Sequence, residues 1–264
     1  MAGVEVDYDQ LASTYDRRFA GGEQSGIAKA LLAFCKKLDP RSVLEVGCGT
    51  GRWLAELRAR YAAAGTKHQH HGLDLSTAML AEARIRDSGL NLSRGRASRL
   101  PFLPSTFDLV YCVNALHHYV RPQEFIFEAR RLLRPGGALA VFGMDPRPER
   151  CTWYVYRFFE GTHATDLRRY PAWGTVLDWM IAAGFEQIHW RVVERYDHIY
   201  AGEAVFEDPF LKKKSTSQLF LLSDEAYNEG LHKMGQAIST ARSAGKTMKF
   251  AVDIPMDMLL GRID

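Results

Sequence analysis

Apolar positions recur along this chain in two alternating rhythms. Between residues 8 and 38 they fall every three or four residues: Tyr8, Leu11, Tyr15 and Phe19, then, after a Gly21-Gly22 break, Ile27, Ala30, Leu31 and Phe34. That spacing predicts a helical segment with one packed face, ended by Asp39-Pro40. Short apolar runs then take turns with helical patterns. Strands are expected at Ser42 to Val46, His70 to Leu73, Leu90 to Arg94, Phe107 to Val113 and Ala138 to Met144, the last without a polar side chain. Helices are expected at Arg52 to Ala64, from a Ser76 cap to Arg86, and at Gln123 to Leu133, with a tight turn at Arg134-Pro135-Gly136-Gly137. Strands separated by helices of ten or more residues specify a parallel sheet covered on both faces. The fold class is α/β, doubly wound, with a ligand crevice at the carboxyl ends of the strands.

Past residue 147 the alternation loosens. Trp153 to Phe159 is aromatic on every side of a helix, Ala172 to Ala183 reads as a helix closed by Gly184, and Glu186 to Arg195 alternates as a strand. Tyr200 to Ser243 reads as mostly helical and Met248 to Ile254 as a last strand. The expected organisation is an N-terminal helical lid (1–40), a core (41–146) and a helical insertion (147–170). A continuation of the core (171–195), a helical cap (196–247) and a final strand (248–264) follow.

Composition narrows the function classes. With 264 residues, 47% hydrophobic and 25% charged, the chain can bury a large core unaided. A net charge of +3 without a clustered basic arm gives no reason to expect nucleic acid. No run of about eighteen apolar residues predicts a membrane span. No basic segment leads into an apolar run at the start, so no signal peptide is expected. The four dispersed cysteines suit a reducing cytosol, so a cytoplasmic protein is expected.

The chemistry centres on Glu45-Val46-Gly47-Cys48-Gly49-Thr50-Gly51, which joins the first strand to the next helix. Glycines at 47, 49 and 51 allow backbone to approach a ligand closely. A dinucleotide fingerprint needs its third glycine where Arg52 stands, so that reading fails. Glu45, two positions before the first glycine, suits a ligand carrying positive charge. Asp74 ends the second strand and either accepts two ribose hydroxyls or caps the following helix.

Taken together, these segments resemble the class I S-adenosylmethionine-dependent methyltransferases, in particular the small-molecule branch that includes the ubiquinone/menaquinone-pathway enzymes. The resemblance covers roughly residues 8 to 145. It rests on the glycine turn, Gly72-Leu73-Asp74-Leu75-Ser76 with Met79-Leu80, Leu100-Pro101-Phe102 before Phe107-Asp108-Leu109-Val110, Asn114-Ala115-Leu116-His117-His118, and Leu132 to Leu139. It implies a mostly parallel seven-stranded sheet with helical lid insertions and S-adenosylmethionine as cofactor. Gly47, Cys48, Gly49 and Gly51 would wrap its methionyl and ribose parts, with Glu45, Asp74, Leu75, Met79, Ala97 and Asn114 around it. Where the family often carries an adenine-contacting Asp, this chain has Gly95-Arg96-Ala97. Either the backbone of Ala97 reads the adenine or Arg96 turns to solvent.

The implied reaction is methyl transfer by in-line displacement to a small organic acceptor, without a metal. A phenol or amine acceptor needs a base, whereas a carboxylate needs none. His117 and His118 either supply that base or pack and cap the next helix. Tyr8 and Tyr15 match the family's lid pattern. Tyr15 either approaches the cofactor or only packs the lid. Trp153, Tyr156, Tyr196, His198 and Tyr200 are candidates for an acceptor pocket. His68, His70 and His71 are no metal cluster, because His70 and His71 point to opposite strand faces. The alternatives are a cyclisation or elimination on the same fold, or a non-catalytic partner subunit. The acceptor and the oligomeric state are not legible.

Overall fold

The computed structural model describes residues 7–12, 15–16, 26–63, 65, 68–147 and 149–264. Phe19 and the Gly21-Gly22 break lie outside these residues. The first half runs α1 (Gly26–Leu38), β1 (Ser42–Val46), α2 (Arg52–Ala63), β2 (Gln69–Asp74), α3 (Thr77–Arg86), β3 (Asn91–Arg94), β4 (Phe107–Val113), α4 (Pro122–Leu132) and β5 (Leu133–Gly143). The second half adds β6 (Thr152–Trp153), α5 (Tyr154–Phe158), α6 (Thr162–Arg169), α7 (Trp173–Ala182), β7 (Glu186–Ala201), α8 (Ser217–Phe220), α9 (Asp224–Ser243) and β8 (Lys249–Arg262). Within the expected lid, Tyr8–Gln10 is a single helical turn.

The α/β fold class stands. One sheet orders its strands β3-β2-β1-β4-β5-β8, with β7 on the outer side of β8. β1 to β5 are parallel, and β8 runs antiparallel to both β5 and β7. These are the seven strands expected; the two-residue β6 is an eighth, paired to β8 through Thr152 and Trp153. All five residues of β1 are buried, as a strand covered on both faces requires. On one face, Val43, Leu109, Tyr111 and Phe142 meet Ile27 and Leu31 of α1 and Leu54 and Leu57 of α2. On the other, Leu44, Val110, Leu139 and Val141 meet Phe125 and Ile126 of α4 and Val176 and Met180 of α7.

Three elements depart from the sequence expectation, each for a local reason. β7 continues through Ala201, because alternation persists across Asp197 to Tyr200 against Phe250 to Asp253. Tyr200 is therefore a strand residue and not part of the helical cap. β8 continues beyond Ile254 to Arg262 although Pro255 interrupts it. The proline lies opposite Arg195, next to a bulge at Val192 to Glu194 that accommodates the missing N–H. Arg134 to Gly137 is an irregular entry into β5 and not a free-standing turn. Gly136 donates to the carbonyl of Ile263, and Ile263 donates back to that of Gly137.

The outer parts of β7 and β8 extend past the sheet as a ribbon. A third apolar cluster forms on it, in which Phe250 and Val252 pack with Trp153, Tyr154 and Phe158 and with Met234 and Ile238 of α9. A fourth joins Leu11 and Ala12 to Met79, with Phe220 and Leu221 packed alongside. The cap is thus held over the carboxyl ends of the parallel strands. Among the described residues no helix is long and apolar enough to cross a membrane.

Candidate functional site

The strand order reverses between β1 and β4, and a crevice opens there at the strand ends. Its floor is the glycine turn. The N–H groups of Gly47 and Cys48 both donate to the carbonyl of Leu73, at 2.7 and 3.1 Å, clamping the turn to β2. The N–H of Gly49 donates to Asp74 Oδ2 at 2.8 Å, while Asp74 Oδ1 accepts from the N–H of Ser76 at 2.9 Å. Ser76 itself caps α3 by accepting from the N–H of Met79. Asp74 is thus not the helix cap: it braces the turn and faces the crevice.

The glycines divide into two kinds. Gly49 has φ +52°, and a Cβ there would meet nothing within 4 Å, so the bare backbone leaves open space where a ligand fits. Gly51, at φ +70°, would place a Cβ 3.0 Å from that of Ala83 and 3.2 Å from Leu90 Cδ1. It is a packing glycine under α3 and does not reach the crevice. Across the crevice Asn114 holds φ +49°, an uncommon backbone region for a residue other than glycine.

Two cavities meet at this point. The first, of about 160 Å³, is lined by Gly47, Gly49, Asp74, Leu75, Met79 and Ala97. Ala97 is buried against it, while Arg96 is exposed at its mouth. The second, of about 360 Å³, runs under the ribbon and cap past His117, Met144, Trp153, Tyr196, His198 and Tyr200. Tyr8, Tyr15, Asn114 and His118 line both.

Four anticipated residues do not line either cavity. Glu45 is 1% exposed and faces the α1–α2 side of the sheet, where its Oε2 accepts from the Tyr111 hydroxyl at 3.1 Å. Burial pushes its carboxyl well above the usual range, and the side chain points away from both cavities. Cys48 turns its thiol inward toward Gly72. Gly51 packs, as above. Tyr156 donates to Asp166 and stacks on His163 behind the cavity wall. The His68, His70 and His71 side chains do not converge. His68 pairs with the carbonyl of Pro40, His70 with that of His68, and His71 lies edge-on to Phe107. Among the described residues no three potential metal ligands cluster.

Electrostatics follow from burial. Burial raises the Asp74 carboxyl above the ordinary range, against the pull of the Ser76 and Gly49 N–H groups. His117 stacks on Tyr170 at 3.9 Å, and burial, His118 and Arg169 hold its imidazole well below the usual range. It is a neutral ring at pH 7. His118 pairs through Nε2 with the Tyr8 hydroxyl and through Nδ1 with Arg169.

Residue order did not reveal the network behind His118. Asp166 accepts from Arg169 Nη1, Tyr156 Oη and Gln218 Nε2. Tyr119, which donates to the carbonyl of Val46 and, behind Ala115, crowds the space a side chain at Gly47 would need, was also not anticipated. An aromatic shortly after the His117-His118 pair was its only trace in the sequence.

Residues 44–141 match the family model described as a methyltransferase domain. The chain is 39% identical over 119 residues to a phthiotriol/phenolphthiotriol dimycocerosates methyltransferase of Mycobacterium tuberculosis, covering 44% of this chain and 42% of that protein. It is 35% identical over 118 residues to a fatty-acid O-methyltransferase of Mycolicibacterium smegmatis, with the same two coverages. The match therefore spans less than half the length of these relatives. In fold the chain is similar to an S-adenosylmethionine-dependent methyltransferase of Thermotoga maritima, with a TM-score of 0.58, 19% identity and coverage of 97% and 98% of the two chains.

Proposed function

We propose that this chain, whose residues 44–141 match a methyltransferase domain, is a class I S-adenosylmethionine-dependent enzyme that transfers a methyl group to a small, largely apolar organic acceptor. The observation that carries this reading is the pair of cavities joined at Tyr8, Tyr15, Asn114 and His118. Methyl transfer needs two ligands held end to end with water excluded, and little else from the protein.

The residues present fit the cofactor. Gly49 leaves space that a side chain would fill, Asp74 presents a carboxylate to vicinal hydroxyls, and Leu75, Met79 and Ala97 offer an apolar wall to a base. Once bound, S-adenosylmethionine supplies a methyl group already activated on a sulfonium. The protein aligns the partners: Asp74 and the glycine turn fix one, and the aromatic walls under the ribbon fix the other. Trp153, Tyr196, Tyr200 and Phe210 give that second cavity an apolar character suited to a lipid-like acceptor. The name of one mycobacterial relative, a fatty-acid O-methyltransferase, supports this choice. All four cysteines are buried and unpaired with one another, in keeping with a reducing cytoplasm.

The test is incubation of the purified chain with cofactor labelled on its methyl group and a panel of apolar acids, phenols, alcohols and amines, with products identified by mass. Label in an acceptor at the expected mass increment is the predicted outcome. Calorimetric binding of the cofactor with no label transferred to any acceptor would refute the reading.

A further inference from the structure

His118 is held from behind by a buried cation. Arg169 Nη2 lies 3.3 Å from His118 Nδ1 and 2.9 Å from Ser217 Oγ, and Nη1 lies 3.3 Å from Asp166 Oδ1. The Arg169 side chain is 8% exposed and that of Asp166 0%, so this is an interior ion pair with little freedom. A guanidinium carries donors only. His118 Nδ1 must therefore accept, and the ring's single hydrogen must sit on Nε2, facing the Tyr8 hydroxyl. The two Nη2 hydrogens each have one acceptor, Ser217 and His118, which leaves the arrangement internally satisfied.

From this geometry we infer that Arg169 is a positioning residue that fixes His118 as an Nε2–H donor, and that the site methylates an oxygen arriving already ionised: the carboxylate of an apolar acid. The inference rests on the methyl-transfer reading and names its substrate class. A general base needs an accepting nitrogen turned toward the acceptor. Nε2 carries a hydrogen, and protonating Nδ1 would aim one N–H at another. Among the described residues that line both cavities, Tyr8, Tyr15, Asn114 and His118, only the imidazole belongs to a class that takes a proton near neutral pH. His117, which lines only the second cavity, is held well below the usual imidazole range by burial and makes a poor base. An alcohol or phenol at the junction would therefore have no effective group to receive its proton, whereas a carboxylate has none to lose.

The same arrangement suits an anion. The Tyr8 hydroxyl accepts from His118 Nε2–H and so keeps its own hydrogen to donate to an anion at the junction, the polar end of a cavity whose apolar walls include Met144, Trp153, Val252, Ile254 and Met256. In the step itself a carboxylate lone pair forms the O–CH3 bond as the S–CH3 bond breaks with its electron pair left on sulfur. The negative and positive charges cancel, the product is a methyl ester, and no proton is released.

Three measurements on the full chain test this. With 15N-labelled histidine, and His118 assigned through His118→Asn, the ring nitrogens should report hydrogen on Nε2; Arg169→Met should shift that resonance pair toward a mixed tautomer. Hydrogen on Nδ1 in the wild type overturns the positioning role. Dodecanoic acid should exceed 1-dodecanol and 4-octylphenol in kcat/KM by roughly 100-fold or more, the contribution a missing base withholds. Equal or better transfer to the alcohol or phenol overturns the substrate class. His118→Gln places an amide N–H near the position of Nε2 and should recover about tenfold of the kcat lost in His118→Ala. An equal loss in both variants overturns the donor role. Absence of label on every acceptor sinks methyl transfer and the substrate class with it, while the nitrogen shifts still decide the tautomer.

Discussion

Replacing Asp74 by alanine separates two duties that the structure gives to one carboxylate. Its oxygens already accept from the N–H groups of Gly49 and Ser76, at 2.8 and 2.9 Å, and each oxygen keeps further acceptor capacity toward the cavity. Two ligand hydroxyls bonded to a charged group are worth about 1.5–3 kcal/mol each. Even at the low end their joint loss is about 3 kcal/mol, a Kd raised roughly 100-fold. The two stranded N–H groups border an open cavity and regain water, so folding loses only about 1–2 kcal/mol. For a chain of this size that lowers Tm by about 2–8 °C. Asp74→Asn keeps one acceptor oxygen and should fall between wild type and alanine in affinity. The assay is calorimetric titration with S-adenosylmethionine and with S-adenosylhomocysteine, which shares the ribose and should lose affinity equally, alongside a thermal scan. A lowered Tm with both affinities within about threefold of wild type would mean that Asp74 is only a brace for the turn, and would refute the ribose assignment. Acidification offers an independent check. The free-state pKa of Asp74 is raised by burial, and hydroxyl donors favour its ionised form. Cofactor affinity should therefore fall as pH drops through a window above the ordinary carboxylate range.

Further substitutions follow from the same geometry. Gly51→Ala combines a positive φ with a Cβ pressed on Ala83 and Leu90, and should cost about 2–4 kcal/mol in denaturant unfolding. Gly49→Ala meets open space, so it should cost only about 1 kcal/mol of stability but weaken cofactor binding at least about tenfold in calorimetry. Glu45→Gln should leave cofactor affinity unchanged, because the native side chain is buried away from both cavities. Its raised pKa means that the wild type loses stability as pH rises from the unfolded to the folded value. The Gln variant should gain relative to wild type over that window, as read by urea unfolding at several pH values. Ile254→Trp fills the cavity under the ribbon and should raise acceptor KM by roughly tenfold with an unaltered Kd for the cofactor.

The parallel half of the sheet was legible because each of its strands is defined locally. A strand buried on both faces needs a nearly continuous apolar run; β4 and β5 carry one from Leu109 and Ala138 onward, and β1 carries one broken only by Glu45. The donor side was legible for the same reason. Gly47, Gly49, Asp74 and Asn114 each sit at the end of a strand whose position its own neighbours fix. Glu45 misled because its place in a motif does not say which sheet face it occupies. One residue of alternation puts it behind the sheet with Tyr111. β8 was half missed because Pro255 reads as an end, and only its partner strand shows the bulge that absorbs it. Arg169 was invisible because its meaning depends on Asp166, three residues earlier on α6, and on His118, fifty-one residues distant in sequence.

This difference in legibility has a physical source that bears on specificity. Apart from Tyr8 and Tyr15, the residues lining the cavity proposed for the cofactor lie within 46–121, inside the segment that matches the family model. Of the residues lining the second cavity, Asn114, His117 and His118 belong to that segment, and every one from Met144 onward lies beyond it. Those later residues come together only when β7 pairs with β8 and the cap packs on the resulting ribbon. On the proposed reading, acceptor specificity is therefore a property of tertiary pairing, built onto a donor site that local sequence defines. Changes in the ribbon or cap can retune the acceptor while the glycine turn and Asp74 keep the donor. His118 is where the two layers meet: its position after β4 comes from the family segment, but its hydrogen is placed by Arg169 of α6 in the helical insertion. The choice between a base and a donor at that ring is made by the part of the chain that the family model does not reach.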